Sequence, residues 1–262
     1  MSSANVFAHP PSVGIIGFGA FDRFIAQHLA RHLSLRAYDP FLPLAAFDGL
    51  GAISTSLKEA AECSVVILAV PVSSLAEVVA AIGPHLRPGT LVVDVGSVKM
   101  LPIETMREGL PDHVEVLGTH PLFGPQSARS GIDGLKIAVC PVRGRRGLRA
   151  AAFLRKMLGL DVVLTTPEAH DREAATVQGL THLIAKVLVA MEPLPTRMTT
   201  RSYELLMQAV EMVRHDAPEV FQAIERSNPY AAQVRQRFFS LAAQLEGDLS
   251  DGAPKLLPSA SQ

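Results

Sequence analysis

Cysteine is scarce in this chain: two in 262 residues, Cys63 and Cys140. Both fall in or beside apolar segments, so they read as small buried hydrophobes, and neither a disulfide nor a metal site is expected of them. An excess of charge of either sign is missing too. The 24 Lys and Arg against 25 Asp and Glu leave a formal charge of −1, which gives no basic surface for nucleic acid or an anionic membrane. No apolar run approaches the roughly 20 residues of a membrane span. The opening MSSANVFAHPPS lacks a basic stretch followed by an apolar one, so no signal peptide is expected and the chain reads as cytoplasmic. No internal repeat is present either. What is there is a soluble globular composition, 48% hydrophobic and 19% charged, long enough for one large domain or two modest ones.

From Ser12 to Leu164 short apolar runs alternate with helical patterns. Strands are expected at Val13–Ile16, Leu35–Tyr38, Val65–Val70, Leu91–Val95, Val114–Gly118, Ile137–Cys140 and Val162–Leu164. Several are continuously apolar and β-branched, as strands covered on both faces tend to be. Helices are expected at Phe21–His32, Ser73–Ile82 and Leu148–Leu158. This alternation predicts a doubly wound, parallel α/β sheet.

After Thr165 the strand pattern stops. Thr166-Pro167-Glu168 is a helix-start signature, and Glu168–Met191 runs helical until Pro193 and Pro195. A second helix is expected over about Thr200–Val213, and a third capped by Asp216 and ending at Asn228-Pro229. A fourth runs to about Glu246 with Gly247 as its C-cap. The expected division is an α/β domain over 1–165, an all-helical domain over 166–250 and a mobile tail over 251–262. A helical unit of ~80 residues buries its apolar stripes poorly alone, so a homodimer through the helical domain is expected.

Gly17-Phe18-Gly19 follows the first strand directly, and Ala20 and Phe21 open the next helix. In a dinucleotide-binding turn the first glycine permits the sharp bend and the second lets a pyrophosphate approach the backbone. The helix N-terminus then supplies free amides and partial positive charge. The third position of the G-x-G-x-x-G pattern is Asp22, a departure that puts a carboxylate near the phosphates, with Arg23 beside it as an offset. The second strand ends at Asp39, 22 residues after Gly17, where an acidic side chain would hold ribose hydroxyls. No arginine adjoins it to receive a 2′-phosphate, so NAD is preferred, with NADP the other possibility. Val70 and Pro71, ending the third expected strand, would form the lip over which the cofactor crosses.

Two further strand ends carry polar residues. One runs into Gly96-Ser97-Val98-Lys99, the other into Thr119-His120-Pro121-Leu122-Phe123-Gly124-Pro125. Both should open onto the cofactor crevice, where a histidine is a natural acceptor for an alcohol proton. The blocks GIIGFGAF, VDVGSVK, GTHPLFGP and EAHDREAATVQGLTHLIAKVL occur in that order between Gly14 and Leu188. Together they resemble successive blocks of the prephenate/arogenate dehydrogenase family of tyrosine biosynthesis. The THPLFGP form is closest to the short plant-type arogenate dehydrogenases and to the dehydrogenase half of bifunctional bacterial enzymes.

The resemblance implies oxidative decarboxylation of arogenate or prephenate, with hydride transfer to NAD(P)+. It implies His120 as the base at the substrate's C4 hydroxyl and Ser97 as that hydroxyl's partner beside the nicotinamide. Lys99 would contact substrate or organise the loop. On the helix after Pro167, Gln178, Thr181 and His182 share a polar patch at three- and four-residue spacing, which suggests substrate contact. The alternative is a hydrogen-bonded patch between helices. His170 and Asp171, at the helix start, read as capping and interdomain contacts. Among Arg129, Arg197 and Arg201, Arg201 is favoured for a substrate carboxylate. Glu211, on the same helix, would suit the ammonium of arogenate.

Two other readings stay open at this point. A β-hydroxyacid dehydrogenase or imine reductase has the same two-domain build and would use a helix lysine, here Lys186. A dinucleotide-binding regulator without catalysis would account for Asp22, though it has no use for Ser97 and His120 together.

Overall fold

The computed structural model describes residues 12–250. The expected tail at 251–262 and all but the last residue of MSSANVFAHPPS lie outside the described residues. Eight strands form one sheet: β1 (Ser12–Ile16), β2 (Ser34–Tyr38), β3 (Ala52–Ser54), β4 (Val65–Leu68), β5 (Leu91–Asp94), β6 (Glu115–Pro121), β7 (Lys136–Arg143) and β8 (Asp161–Leu164). Their order is β3-β2-β1-β4-β5-β6-β7-β8. The direction of winding reverses between β1 and β4, so a crevice opens at the carboxyl ends of these two strands, the usual ligand position in such sheets.

The helices beside the sheet are α1 (Ala20–Leu29), α2 (Leu57–Ala61), α3 (Leu75–Ile82), α4 (Met100–Gly109) and α5 (Arg146–Leu158). Alternate strand residues feed two cores. Val13, Ile15, Leu35, Val93 and Leu117 pack with Ala26 and Leu29 of α1 and Ala151 and Leu158 of α5. Ile16, Val66, Leu68, Val92 and Val116 pack with Ala60 of α2, Val79 of α3 and Met106 of α4. Helices therefore cover both faces, and the strands are apolar on both, as the sequence pattern required. Gly14 explains how close α2 comes: a Cβ there would sit 2.0 Å from the Ala60 carbonyl oxygen.

The expected strands are all present, and the sheet departs from the expectation in two ways. β3 is an additional three-residue edge strand, too short to show a period. β6 and β7 pair antiparallel, so the sheet is mostly rather than wholly parallel. The stretch between them contains Gly124, Pro125, Gly131 and Gly134 and no helical period; without a crossover helix the chain turns back on itself. The β7 ladder also lengthens β6, pairing Thr119 with Val139 and His120 with Ala138. His120 is thereby a strand residue with a fixed backbone, not a loop residue.

Beyond β8 lie α6 (Pro167–Ala190), α7 (Arg201–Val213), α8 (Pro218–Gln222) and α9 (Ala231–Ser250). Thr166 caps α6 and Thr200 caps α7, each hydroxyl accepting from a backbone amide three residues on. Asp216 does not cap α8. Ala217 holds that place, and the helix passes into a π turn over Ala223–Ser227. Gly247 lies inside α9 rather than ending it. α6 packs on α7, α9 and α4, which brings the start of α6 against the sheet. No helix among the described residues is long and apolar enough to cross a membrane.

Candidate active site

His120 is buried at the carboxyl end of β6. Its Nδ1 lies 2.9 Å from Nε2 of His170, on the first turn of α6, and His170 Nδ1 lies 2.7 Å from Asp171 Oδ1. The Asp171 carboxylate also accepts the Lys99 amide at 2.7 Å and the Met100 amide at 2.9 Å. These are the N-terminal amides of α4, so one side chain caps α4 and terminates the histidine relay. Asn228, after the π turn, donates to the Asp171 carbonyl at 2.7 Å. In the tautomer that keeps the His170 proton on Nδ1, facing the Asp171 carboxylate, His170 Nε2 accepts from His120 Nδ1–H and the lone pair of His120 is left on Nε2. Burial, and then the neighbouring His170 and Lys99, push the His120 pKa well below its ordinary value. The ring is held as a neutral base.

The loop carrying Ser97 closes over a buried ion pair. Lys99 is 0% exposed. Its ammonium donates to the Asp94 carboxylate and, at 2.6 Å, to the Thr119 carbonyl. Asp94 Oδ1 accepts the Gly96 amide at 3.0 Å, and its carbonyl accepts the Thr119 hydroxyl at 2.8 Å. β5 and β6 are thus laced together where their ends carry half-buried Ser97 and buried His120. Lys99 is committed to this lattice.

At the glycine turn, Gly17 has φ +89°, and a Cβ there would lie 2.2 Å from the Ala69 carbonyl oxygen. Only glycine fits. Gly19 stands at the N-cap of α1 with no side-chain cap, which leaves the Ala20 and Phe21 amides to an anion. The Asp39 carboxylate accepts the Phe18 and Phe41 amides, each at 2.9 Å, bracing the turn against the end of β2. Phe18 is buried and stacks on Phe47 with ring centres 4.9 Å apart. Ala20 and Pro71 are exposed, and Phe21 and Val70 half-buried, around the same mouth. Arg23 does not offset Asp22; its Nε turns to the Gly19 carbonyl at 3.4 Å.

The family model for the nucleotide-binding domain of prephenate dehydrogenase matches residues 42–187. Arogenate dehydrogenase 2 of Arabidopsis thaliana, a chloroplastic protein, is 31% identical over 254 residues, 90% of this chain and 70% of its own. The chain belongs to the prephenate dehydrogenase family. Arogenate dehydrogenase 1 of the same plant is also 31% identical across 90% of this chain, which spans only 39% of that relative's length. The crystal structure of prephenate dehydrogenase from A. aeolicus, in complex with hydroxyphenyl propionate and NAD+, aligns with a TM-score of 0.74. That alignment covers 97% of this chain and 94% of the other at 20% identity, a likeness of fold.

Within this family fold, the relay residues His170 and Asp171 were missed by sequence reasoning as functional groups. No local signal marks them, since the contact with His120 spans 50 residues; the Asp94–Lys99 pair was the readable one, because a carboxylate ending the apolar run LVVD needs a partner. Gln178, Thr181 and His182 lie 8 to 12 residues past His170, about 12–18 Å along α6. They do not act as one patch. The Thr181 hydroxyl is spent on its own helix, at 2.7 Å from the Val177 carbonyl. His182 is buried toward α7 and α8, with Nε2 3.6 Å from Asp216 Oδ2 and its ring 6.3 Å from Phe221. Gln178 Oε1 is buried with no partner.

On α7, Arg201 is exposed and pairs with Glu204 at 3.4 Å, while Glu211 meets Arg214 and His215. Glu211 also lines an open cleft of about 840 Å³ with Glu192, Thr199, Tyr203 and Gln208. No residue of the His120 relay or the Ser97 loop lines that cleft. Lys186 sits 5.4 Å over the Phe221 ring, 16 residues and about 24 Å of helix beyond His170. A lysine so placed cannot serve a reaction at His120.

Proposed function

We propose that this chain catalyses oxidative decarboxylation of arogenate, prephenate or both, with transfer of the C4 hydride to a nicotinamide dinucleotide. The carrying observation is the relay: His120, neutral and buried, backed through His170 by an Asp171 carboxylate that is itself held by two helix amides. A pure dinucleotide binder has no use for it.

The glycine turn, the open amides of α1 and Asp39 suit a dinucleotide, and a carboxylate at the end of β2 favours NAD over NADP. When bound, the nicotinamide supplies the hydride acceptor. The chain's residues supply the rest. Ser97 hydrogen-bonds the C4 hydroxyl and aligns it. His120 Nε2 takes the hydroxyl proton, and the relay spreads the resulting charge toward Asp171. Loss of CO2 makes the ring aromatic, so the protein chiefly orients the substrate and polarises one hydroxyl.

Gln178 Oε1, buried and unpartnered, is the kind of atom a ligand satisfies. Arg201 is the proposed partner for a substrate carboxylate and Glu211 for the ammonium of arogenate. Residues 1–165 form the proposed dinucleotide-binding domain and 166–250 the helical substrate and dimerisation domain. Val177, Val187, Leu205, Met212 and Leu241 are exposed on α6, α7 and α9, which supports a homodimer through these helices.

An NADH-appearance assay with prephenate and arogenate side by side tests this reading. The His120→Asn variant should lose roughly 10²–10⁴-fold in kcat. Activity on neither substrate by the wild-type protein sinks it, and faster turnover of prephenate than arogenate sinks the role given to Glu211.

A further inference from the structure

The turn that opens α1 carries a carboxylate where the dinucleotide fingerprint has its third glycine. Asp22 is 6% exposed, in the first turn of α1. A Cβ built on Gly19 would lie 3.5 Å from Asp22 Oδ2, so the carboxylate stands against the backbone that faces a pyrophosphate in this fold. The surrounding charges do not compensate it. Asp39, from the end of β2, acts on it as a second negative charge. Arg23, the adjacent cation, is turned to the Gly19 carbonyl. Phe123, from the loop after β6, reaches α1 through Phe21 and brings no charge.

We infer that Asp22 couples dinucleotide binding to proton uptake, the pyrophosphate being accepted with the Asp22 carboxyl protonated and repelled once it is ionised. The inference rests on the dinucleotide reading above. Two negative groups brought together at a poorly hydrated turn cannot both stay charged cheaply, so the second to arrive draws a proton from solvent onto the first. The geometry already leans that way. Burial, reinforced by Asp39 and opposed by the amides of Gly19 and Asp22, pushes the Asp22 carboxyl up to about 7. The proton is then exchanged across the neutral range, where each pH unit above the midpoint weakens binding by up to about tenfold.

Calorimetric titration of the full chain with ADP-ribose is the test. This probe keeps the pyrophosphate but has no nicotinamide, so His120 is not reported. Its charge is also constant between about pH 6.5 and about pH 8.5. Across that range the wild-type affinity should fall on the order of tenfold, with binding heats that depend on the buffer as protons are taken up. Asp22→Asn and Asp22→Gly should hold the low-pH affinity throughout. A flat wild-type profile with buffer-independent heats overturns the coupling and leaves the dinucleotide reading standing. Variants that keep the wild-type slope overturn the assignment to Asp22. Failure of both ADP-ribose and NAD+ to bind at any pH overturns the dinucleotide reading, and the coupling with it. If one variant does not fold, the other and the wild-type heats still decide.

Discussion

His120 Nδ1 lies 2.9 Å from His170 Nε2. The far side of His170 is held by Asp171 at 2.7 Å, so the contact fixes the orientation of the His120 ring. His170 is therefore a positioning residue for His120. His170→Gln should lower kcat on the order of 10²-fold with KM little changed, since substrate contacts are intact. A merely structural role would reduce the yield of folded protein and leave turnover per active site unchanged. Active-site titration alongside steady-state kinetics separates the two.

The proposed base is held with its pKa well below the ordinary imidazole value by burial and by His170 and Lys99. Its working form is the neutral one, so activity is present above the folded-state pKa and lost as pH falls through it. The acid limb of kcat/KM, measured at saturating dinucleotide, should therefore lie below about pH 6.5. Lys99→Met removes a buried positive charge near His120 and should move the limb upward. A wild-type limb above that pH would rule His120 out as the group observed.

The buried Lys99–Asp94 pair joins β5 to β6. Removing one partner strands a charge in the core. Lys99→Met alone should cost about 3–5 kcal/mol in urea denaturation, and pairing it with Asp94→Leu should recover part of the loss. A single variant as stable as wild type would mean that the pair is solvated in solution.

Asp22 affects stability as well as binding. Its folded-state pKa is raised to about 7, so the folded protein holds that proton more tightly than the unfolded chain does. The resulting stability is complete below the ordinary carboxyl range and is lost as pH rises toward 7. Asp22→Asn, always neutral, should gain over wild type by about 1–4 kcal/mol at pH 8 and much less at pH 5. Thermal melts of both proteins at the two pH values check this; an equal difference at both would remove the carboxyl as the cause.

Much of the fold was readable because its cues are local. Short apolar, β-branched runs marked seven of the strands, and the change after Thr165 marked the start of the helices. The antiparallel turn of β7 was not readable, because strand direction depends on the path of the Gly- and Pro-rich connection and not on the apolar pattern of the strand. Asp216 and Gly247 carried correct capping chemistry but not the caps. Asp216 faces His182 instead, and α9 continues through Gly247; in both places packing outweighed a preference of about 1 kcal/mol.

By itself the sequence determined the order of elements, the glycine turn, and the placing of Ser97 and His120 at neighbouring strand ends. Each depends on residues within a few positions of one another. Only the tertiary structure decided which of the other histidines backs His120, and that Lys99 is spent on Asp94 and the Thr119 carbonyl. It also decided that Asp22 is buried without a cation. Those outcomes depend on contacts such as His120–His170, 50 residues apart in sequence, where burial and hydrogen-bond geometry, not residue type, select the partner.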